Sequence, residues 1–540
     1  MAGLRSKITR RSLILLVAFS FLFGLIFIVS IHLMLIKPWY SPEWGEIQTE
    51  QRELETPRGS IVDREGNTLA ISTQRYSLYA NPRMIGGGWE IARLLESIID
   101  LSAPEIYMRL QSDRFFVWLE RKLDDRRARQ LDELDIPGLG LVPEYERIYP
   151  NEELASHVLG FVGLDNYGLE GVERQFDDFL TGDGEEFHDI NLVLTIDQTI
   201  QHYLEEELRR MVRASQSRSA MGVVMDPNSG EVLAMANVPG FDPNEYGRFP
   251  EELWRNRAIS DPVEPGSTFK VMTIGSAMAR GDVQSDSTFN CPGYNHFANA
   301  DYTLRCYAEH GDLSLAEILI KSCNVGTAKA IEQMEPEDFY RHLRRFGFGN
   351  RTGIQLPGEG RGTLRRPANW SAITQPSVAI GQGVSATALQ ETAALSAVVN
   401  GGRLLEPRIM KAKQVAGEEN KTSEATKVRR VVQPEVAAEL RQHMRGVVSR
   451  GTGQAASSDD FELAGKTGTA QKADLERGGY HEDKVMASFI GFGPVDEPAL
   501  AVNIIADEPE KGRYGGEVAG PAFKRVLERS LKYLNLNSNQ

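Results

Sequence analysis

Residues 261–279 read DPVEPGSTFKVMTIGSAMA. Pro265-Gly266 makes a turn, and the apolar residues after it recur at helical spacing. Ser267 therefore stands at or near a helix N-terminus. Lys270 lies one turn on, on the same face. A serine hydroxyl is a weak nucleophile until a base takes its proton. A lysine can be that base if burial beside Phe269 and Met272, or a second cation, keeps its amine neutral. The free N–H groups at a helix start also suit a developing oxyanion. Alone, a serine three residues before a lysine is weak, and the plain reading of Ser267 is a helix cap.

Two later stretches change that weighing. IKSCNVG (320–326) holds Ser322-Cys323-Asn324 between two helical patterns. GKTGTA (465–470) holds Lys466-Thr467-Gly468 at the start of an expected strand. Singly, Ser322 and Asn324 read as loop or cap residues, and Lys466 as a surface charge. In the order S-x-x-K, S-x-N, K-T-G they match the set shared by penicillin-binding proteins and serine β-lactamases. The contexts agree: a helix start, an inter-helix loop and an edge-like strand.

Around these motifs the patterns describe one α+β domain. NLVLTID (191–197) reads as a strand and the next eighteen residues as an amphipathic helix. MGVVMD (221–226) and EVLAMA (231–236) flank Pro227-Asn228-Ser229-Gly230, which predicts a hairpin. Residues 267–400 are mainly helical in pattern. Residues 411–429 are polar and read as an exposed excursion. A helix is expected from Glu435 to Val448, with Pro434 near its start. GKTGTA, MASFIGFG (486–493) and ALAVNIIA (499–506) are spaced for an antiparallel meander, and a last helix fits 521–534. Strands at both ends with helices between argue an antiparallel sheet with helices on its faces. No G-x-x-x-x-G-K-[ST] phosphate loop and no Rossmann glycine spacing occur.

The chain has 540 residues, enough for two or three domains. Its net charge of −15 sets sequence-independent nucleic-acid binding aside, because that needs clustered Lys and Arg. Residues 13–36 carry no formal charge and are long enough to cross a bilayer core. Arg5, Lys7, Arg10 and Arg11 precede them. The positive-inside rule then predicts a cytoplasmic tail (1–12), a transmembrane anchor (13–36) and an external remainder. The run is too long for a typical signal peptide and no A-x-A site follows. Residues 41–190 show no catalytic set and read as a structural or interaction domain; the catalytic domain is expected over 191–540. Of the three cysteines, Cys291 and Cys306 are candidates for a disulfide closing a short loop, with Cys323 left over. His296 and His310 lie near them without zinc-like spacing, so no metal site is expected.

From about 191 to 534 the chain resembles the transpeptidase domain of class B penicillin-binding proteins. RGSIVDREGNTLA (58–70), RIYPNEELASHVLGFVG (147–163) and YGLEGVERQFDDFLTG (167–182) resemble parts of their non-catalytic, dimerisation-type pedestal. RNRAISDPVEPGSTFK (255–270), KSCNVGTAKA (321–330), FGFGNRTGIQLPGE (346–359) and YGGEVAGPAF (514–523) look like the division-specific, FtsI-type branch rather than the elongation-type one. The resemblance implies a five-stranded antiparallel sheet with helices on both faces. It implies that Ser267 attacks the penultimate D-alanine of a peptidoglycan stem peptide and that Lys270 takes its proton. Ser322 would relay a proton, and Asn324 would hold Lys270 and a substrate amide. Lys466 would supply positive potential, Thr467 would bind the terminal carboxylate, and Gly468-Thr469 would pair with the peptide as an added strand. Backbone N–H groups of Ser267 and Thr469 would form the oxyanion hole.

The same resemblance implies β-lactams as inhibitors, no metal or organic cofactor, and partners such as an FtsW-like glycan polymerase and other division proteins. It implies a single-pass protein of the cytoplasmic membrane, placed at the septum. A β-lactamase would need a dedicated deacylating Glu, which no motif marks. A purely structural role in a membrane complex predicts a broken catalytic set, and this set is intact.

Overall fold

The computed structural model describes residues 20–27, 29, 56–182, 190–297, 302–417, 420–423, 426–474 and 477–536. The apolar run at 13–36 lies largely outside these; its residues 20–27 and 29 are helical and exposed. Among the described residues no helix is long and apolar enough to cross a membrane. The chain forms two compact units. One holds Met1–Thr56 and Gln74–Tyr145, the other Pro57–Thr73 and Glu146–Gln540. Residues 57–73 and 146–182 thus share a compact unit with the three motifs, although they precede residue 191 in the chain.

The smaller unit holds the helices Gly88–Leu95, Ala103–Leu110 and Asp125–Asp132 and the strand Val117–Leu123. Ser102 and Glu105 close a capping box at the start of the second helix. Asp124 caps the third by accepting from the N–H groups of Arg126 and Arg127. Leu78, Leu95, Ile106, Leu119, Leu123 and Leu131 make its core.

The larger unit is built on a five-stranded antiparallel sheet. Its order is Ala464–Ala473, Tyr480–Gly493, Leu500–Asp507, Ser219–Met225, Val232–Val238. The expected hairpin and the expected C-terminal meander are both present, and Leu500–Asp507 joins them by pairing with Ser219–Met225. Every residue of those two central strands is buried. Side chains alternate between faces with period two. Leu500, Val502, Ile504 and Ala506 meet Leu204 and Leu208 of the helix Gln198–Ser215, and Phe523 and Leu527 of the helix Gly520–Tyr533. Met221, Val223 and Ile505 face the opposite core, with Ala388 and Leu389 of the helix Ala388–Val399. That helix is buried along its whole length, which is why its apolar pattern has no face.

Residues 411–429 are not simply an exposed excursion. Met410–Val415 is a strand that pairs antiparallel with Ile190–Leu194, which in turn pairs parallel with Ser60–Val62. Beside that ladder Arg58 and Arg147 both bond Glu173, at 2.6 and 2.7 Å, with all three side chains buried. Asp177 also pairs with Arg58, at 2.6 Å, so two acids balance the two guanidiniums. Removing one member would strand the others in low dielectric.

Candidate active site

The turn Gly266–Phe269 is 3-10 and runs directly into the helix Lys270–Arg280. Gly266 has φ +57 and donates its N–H to Gly381 O at 3.0 Å, which fixes the turn ahead of Ser267. Ser267 is half-buried, whereas Lys270 is fully buried. The Lys270 side chain ends between two acceptors: Nζ donates to Ser322 O and to Asn324 Oδ1, both at 2.6 Å. Ser322 Oγ is 3.3 Å away. A neutral amine has two N–H groups, and these two acceptors use both. The lone pair is then left to accept the proton of a serine. Burial lowers the Lys270 pKa to about 8, so a neutral fraction exists near physiological pH.

The loop carrying Ser322 follows the helix Leu315–Ile320. Ser322 takes φ +53, and the N–H groups of Cys323 and Ser322 return to Ile318 O and Leu319 O, at 2.8 and 3.2 Å. This is a Schellman ending with serine where glycine is usual. The left-handed residue turns the chain so that its carbonyl meets Lys270. Asn324 then starts the next helix, Asn324–Ala330, and its Nδ2 donates to Arg305 O at 2.9 Å.

Lys466 arrives from the edge strand Ala464–Ala473. It is fully buried, and its Nζ donates to Ser322 Oγ at 2.9 Å and to Thr467 O at 3.1 Å. Burial, and then the neighbouring Lys270 charge, hold its pKa well below that of a free lysine. Ser322 Oγ therefore lies between two amines that disfavour being charged together. Thr467 Oγ1 pairs with Thr452 Oγ1 at 2.9 Å, and Thr469 Oγ1 accepts from Gly515 N–H at 3.1 Å. Gly468 has no room for a side chain. A Cβ there would stand 2.2 Å from Ser488 Oγ, 2.9 Å from Thr268 Cγ2 and 3.0 Å from Pro265 O. The strand thus runs hard against the turn that carries Ser267. Its other neighbour is Tyr480–Gly493, and as the edge of the sheet it leaves one side open to an extended peptide.

One buried acid escaped the motif reading. Glu391, on the helix Ala388–Val399, lies 2.9 Å from Thr268 Oγ1, which also lies 2.9 Å from Pro265 O. The single hydroxyl proton serves one of these contacts, and a protonated Glu391 supplies the other. Burial raises the Glu391 pKa from 4.5 to about 8. The native state therefore holds a proton that the unfolded chain loses above about pH 4.5. Stability from this group is full below that pH and is lost as pH rises through about 8, at about 1.4 kcal/mol per unit. Glu391→Gln should match the wild type within about 1 kcal/mol at pH 5 and exceed it by a few kcal/mol at pH 9. Urea unfolding at the two pH values measures this, and equal offsets would refute a protonated Glu391.

Residues 220–528 match the penicillin binding protein transpeptidase domain, and residues 53–186 match the penicillin-binding protein dimerisation domain. This chain is a class B penicillin-binding protein. It is 32% identical to the probable peptidoglycan D,D-transpeptidase PenA of Neisseria gonorrhoeae, over 97% of this chain and 92% of that one. Identity to the peptidoglycan D,D-transpeptidase FtsI of Escherichia coli K12 is 30%, over 97% and 91%. Stage V sporulation protein D of Bacillus subtilis is 32% identical, over 89% and 79%. Penicillin binding protein 3 of Mycobacterium tuberculosis, solved with aztreonam, superposes with a TM-score of 0.73 at 29% identity, covering 90% of this chain and 98% of that one.

The cysteines of this penicillin-binding protein depart from the sequence expectation. Cys291 and Cys306 are not joined, and all three thiols are free. Cys306 Sγ instead lies 3.5 Å from Cys323 Sγ, beyond bonding distance. The hydrogen bond from the Cys323 thiol, above all, pulls the Cys306 thiol down to about 5, and that contact pushes Cys323 up. His310, set aside for its spacing, stands with all three. One ligand atom from each of Cys291, Cys306, His310 and Cys323 falls within 4.8 Å of the others. The two short antiparallel ladders between 288 and 314 that bring Cys291, Cys306 and His310 together carry no strong local pattern.

Proposed function

We propose that this protein is a peptidoglycan D,D-transpeptidase of septal wall synthesis, held in the cytoplasmic membrane by residues 13–36 with residues 41–540 outside. The observation that carries the reading is the convergence of two buried lysines on Ser322, beside the turn that bears Ser267. The names of its relatives support the reaction, and the names FtsI and stage V sporulation protein D favour a division-type role. The uncharged run and the basic residues ahead of it support the anchor.

In this mechanism the terminal D-Ala-D-Ala of a stem peptide lies along Ala464–Ala473, its carboxylate met by Thr467 and the Lys466 potential. Ser267 Oγ attacks the penultimate carbonyl carbon while its proton passes to Lys270 Nζ. The N–H groups of Ser267 and Thr469 hold the oxyanion. The C–N bond then breaks, and a proton relayed through Ser322 Oγ leaves with the terminal D-alanine. An amine from a neighbouring stem peptide attacks the ester and gives its proton to the same base. The new amide forms and Ser267 is restored. A β-lactam enters the same path, but its leaving amine stays tethered, so the acyl group persists. The division-type role brings with it an FtsW-like glycan polymerase and other division proteins as partners.

The test is to incubate the full-length protein, in detergent, with a fluorescent penicillin and map the adduct after denaturation. A stable adduct on Ser267 is expected; folded protein with no adduct, or one that decays within minutes, would refute the reading. Depletion in cells tests the branch: filaments are expected, and round cells would assign the protein to elongation.

A further inference from the structure

The four side chains that meet behind the Ser322 loop form a set with a definite chemistry. Cys291 ends the strand Thr288–Cys291. That strand pairs with Gly311–Ser314, and His310 N–H donates to Cys291 O at 3.0 Å, so the pairing carries His310 to Cys291. Cys306 follows the strand Tyr302–Arg305 and is tied by its N–H to Gly293 O at 2.9 Å. Cys323 sits between Ser322 and Asn324. In a tetrahedral zinc site, with Zn–S about 2.3 Å and Zn–N about 2.0 Å, ligand atoms stand roughly 3.3–3.8 Å apart. The four atoms here lie within 4.8 Å of one another, and Cys306 and Cys323 are at 3.5 Å.

Two further observations point to an ion. Both ring nitrogens of His310 are buried and have no hydrogen-bond partner among the described residues. Ring nitrogens left so are costly, and a metal bond is one of the few ways to satisfy them. The sulfurs, in turn, receive backbone N–H groups. Asn324 and Val325 donate to Cys306 Sγ at 3.2 and 3.3 Å, and Gly326 donates to Cys323 Sγ at 3.1 Å. Such donors favour thiolate over thiol. A disulfide would use two of the three sulfurs and leave the third, and His310, without partners; a single tetrahedral ion uses all four groups.

We propose that Cys291, Cys306, His310 and Cys323 bind one zinc ion, and that this ion holds the Ser322–Asn324 loop in its working shape. Lys270 Nζ bonds the residues on either side of Cys323, namely Ser322 O and Asn324 Oδ1. Pinning Cys323 therefore pins both acceptors of the base, and helps to hold Ser322 at φ +53. The four residues are positioning residues: none of them touches the reacting atoms. Their deprotonated sulfurs and a neutral imidazole give the closed ligand set of a structural site.

The experiment loads full-length protein with excess Zn2+, removes loose metal by gel filtration, and measures zinc by mass spectrometry beside His310→Ala and Cys291→Ser. One zinc per wild-type chain and none in either variant are expected. Co2+ in place of zinc should give the intense visible bands of a tetrahedral thiolate site, a signature that misfolded protein would not give. Stripping the wild type with a chelator should slow covalent penicillin labelling between about ten- and a hundredfold, with recovery on adding Zn2+. No zinc in folded wild type, zinc retained by both variants, or a Cys306–Cys323 disulfide in the isolated protein would overturn the site. Zinc lost with no change in labelling would overturn its positioning role.

Discussion

Ser267→Ala is expected to leave no penicillin adduct on a denaturing gel while the protein stays folded. The hydroxyl is not what holds its turn. The turn is held by Gly266 N–H on Gly381 O and by Thr268 Oγ1 at Pro265 O. Ser267 is only half-buried, and alanine keeps its Cβ. The unfolding free energy should therefore change by less than about 1 kcal/mol. Acylation, in contrast, loses the only atom that forms the covalent bond, and residual turnover should fall by about a millionfold, as when other serine hydrolases lose their nucleophile. Gel labelling and urea unfolding on the same preparation separate the two effects. An adduct that persists in the variant would mean another nucleophile and would undo the assignment.

The second large effect is expected at Lys270. Lys270→Met keeps most of the side-chain length and removes the amine. Loss of a general base costs about a hundred- to ten-thousandfold, so labelling should slow by that much. The pH profile tells a lost base from a lost shape. With the Lys270 pKa at about 8, the neutral fraction grows tenfold per unit below that pH and levels off above it. Wild-type labelling should rise with pH to a plateau past about 8, and Lys270→Met labelling should be flat across the same range. Stability moves separately. The substitution removes a buried cation but leaves Ser322 O and Asn324 Oδ1 without a donor, at about 1–3 kcal/mol each. Labelling is therefore best measured well below the unfolding temperature. A wild-type rate independent of pH between 6 and 9 would exclude Lys270 as the base.

The candidate catalytic residues were legible because each is announced by its neighbours. Pro265-Gly266 before an apolar helix marks Ser267 and Lys270, and a serine-asparagine pair between helices marks the loop. The apolar runs MASFIGFG and ALAVNIIA, spaced for a meander, mark the strands, which the structure forms at Tyr480–Gly493 and Leu500–Asp507. The expected helices near 435–448 and 521–534 form as Pro434–Arg450 and Gly520–Tyr533. These are local signals, and local periodicity survives folding wherever one face is buried.

Other features had no local signal to read. Met410–Val415 is a polar stretch, MKAKQV, whose strand exists because Ile190–Leu194 lies beside it. Glu391 has no motif around it; its helix is buried along its whole length, and desolvation there turns the acid neutral. Cys291, Cys306, His310 and Cys323 show no zinc-like spacing, and only two small antiparallel ladders and the loop after Leu315–Ile320 bring them to one point. The amino-acid order alone determined the three motifs, the fold class and most of the helices and strands, because these depend on residue type and short-range period. Tertiary structure alone decided the closing pair of the sheet, the protonation of Glu391, the convergence of Lys270 and Lys466 on Ser322, and the gathering of the cysteines, because burial and proximity between distant segments are properties of the packed chain.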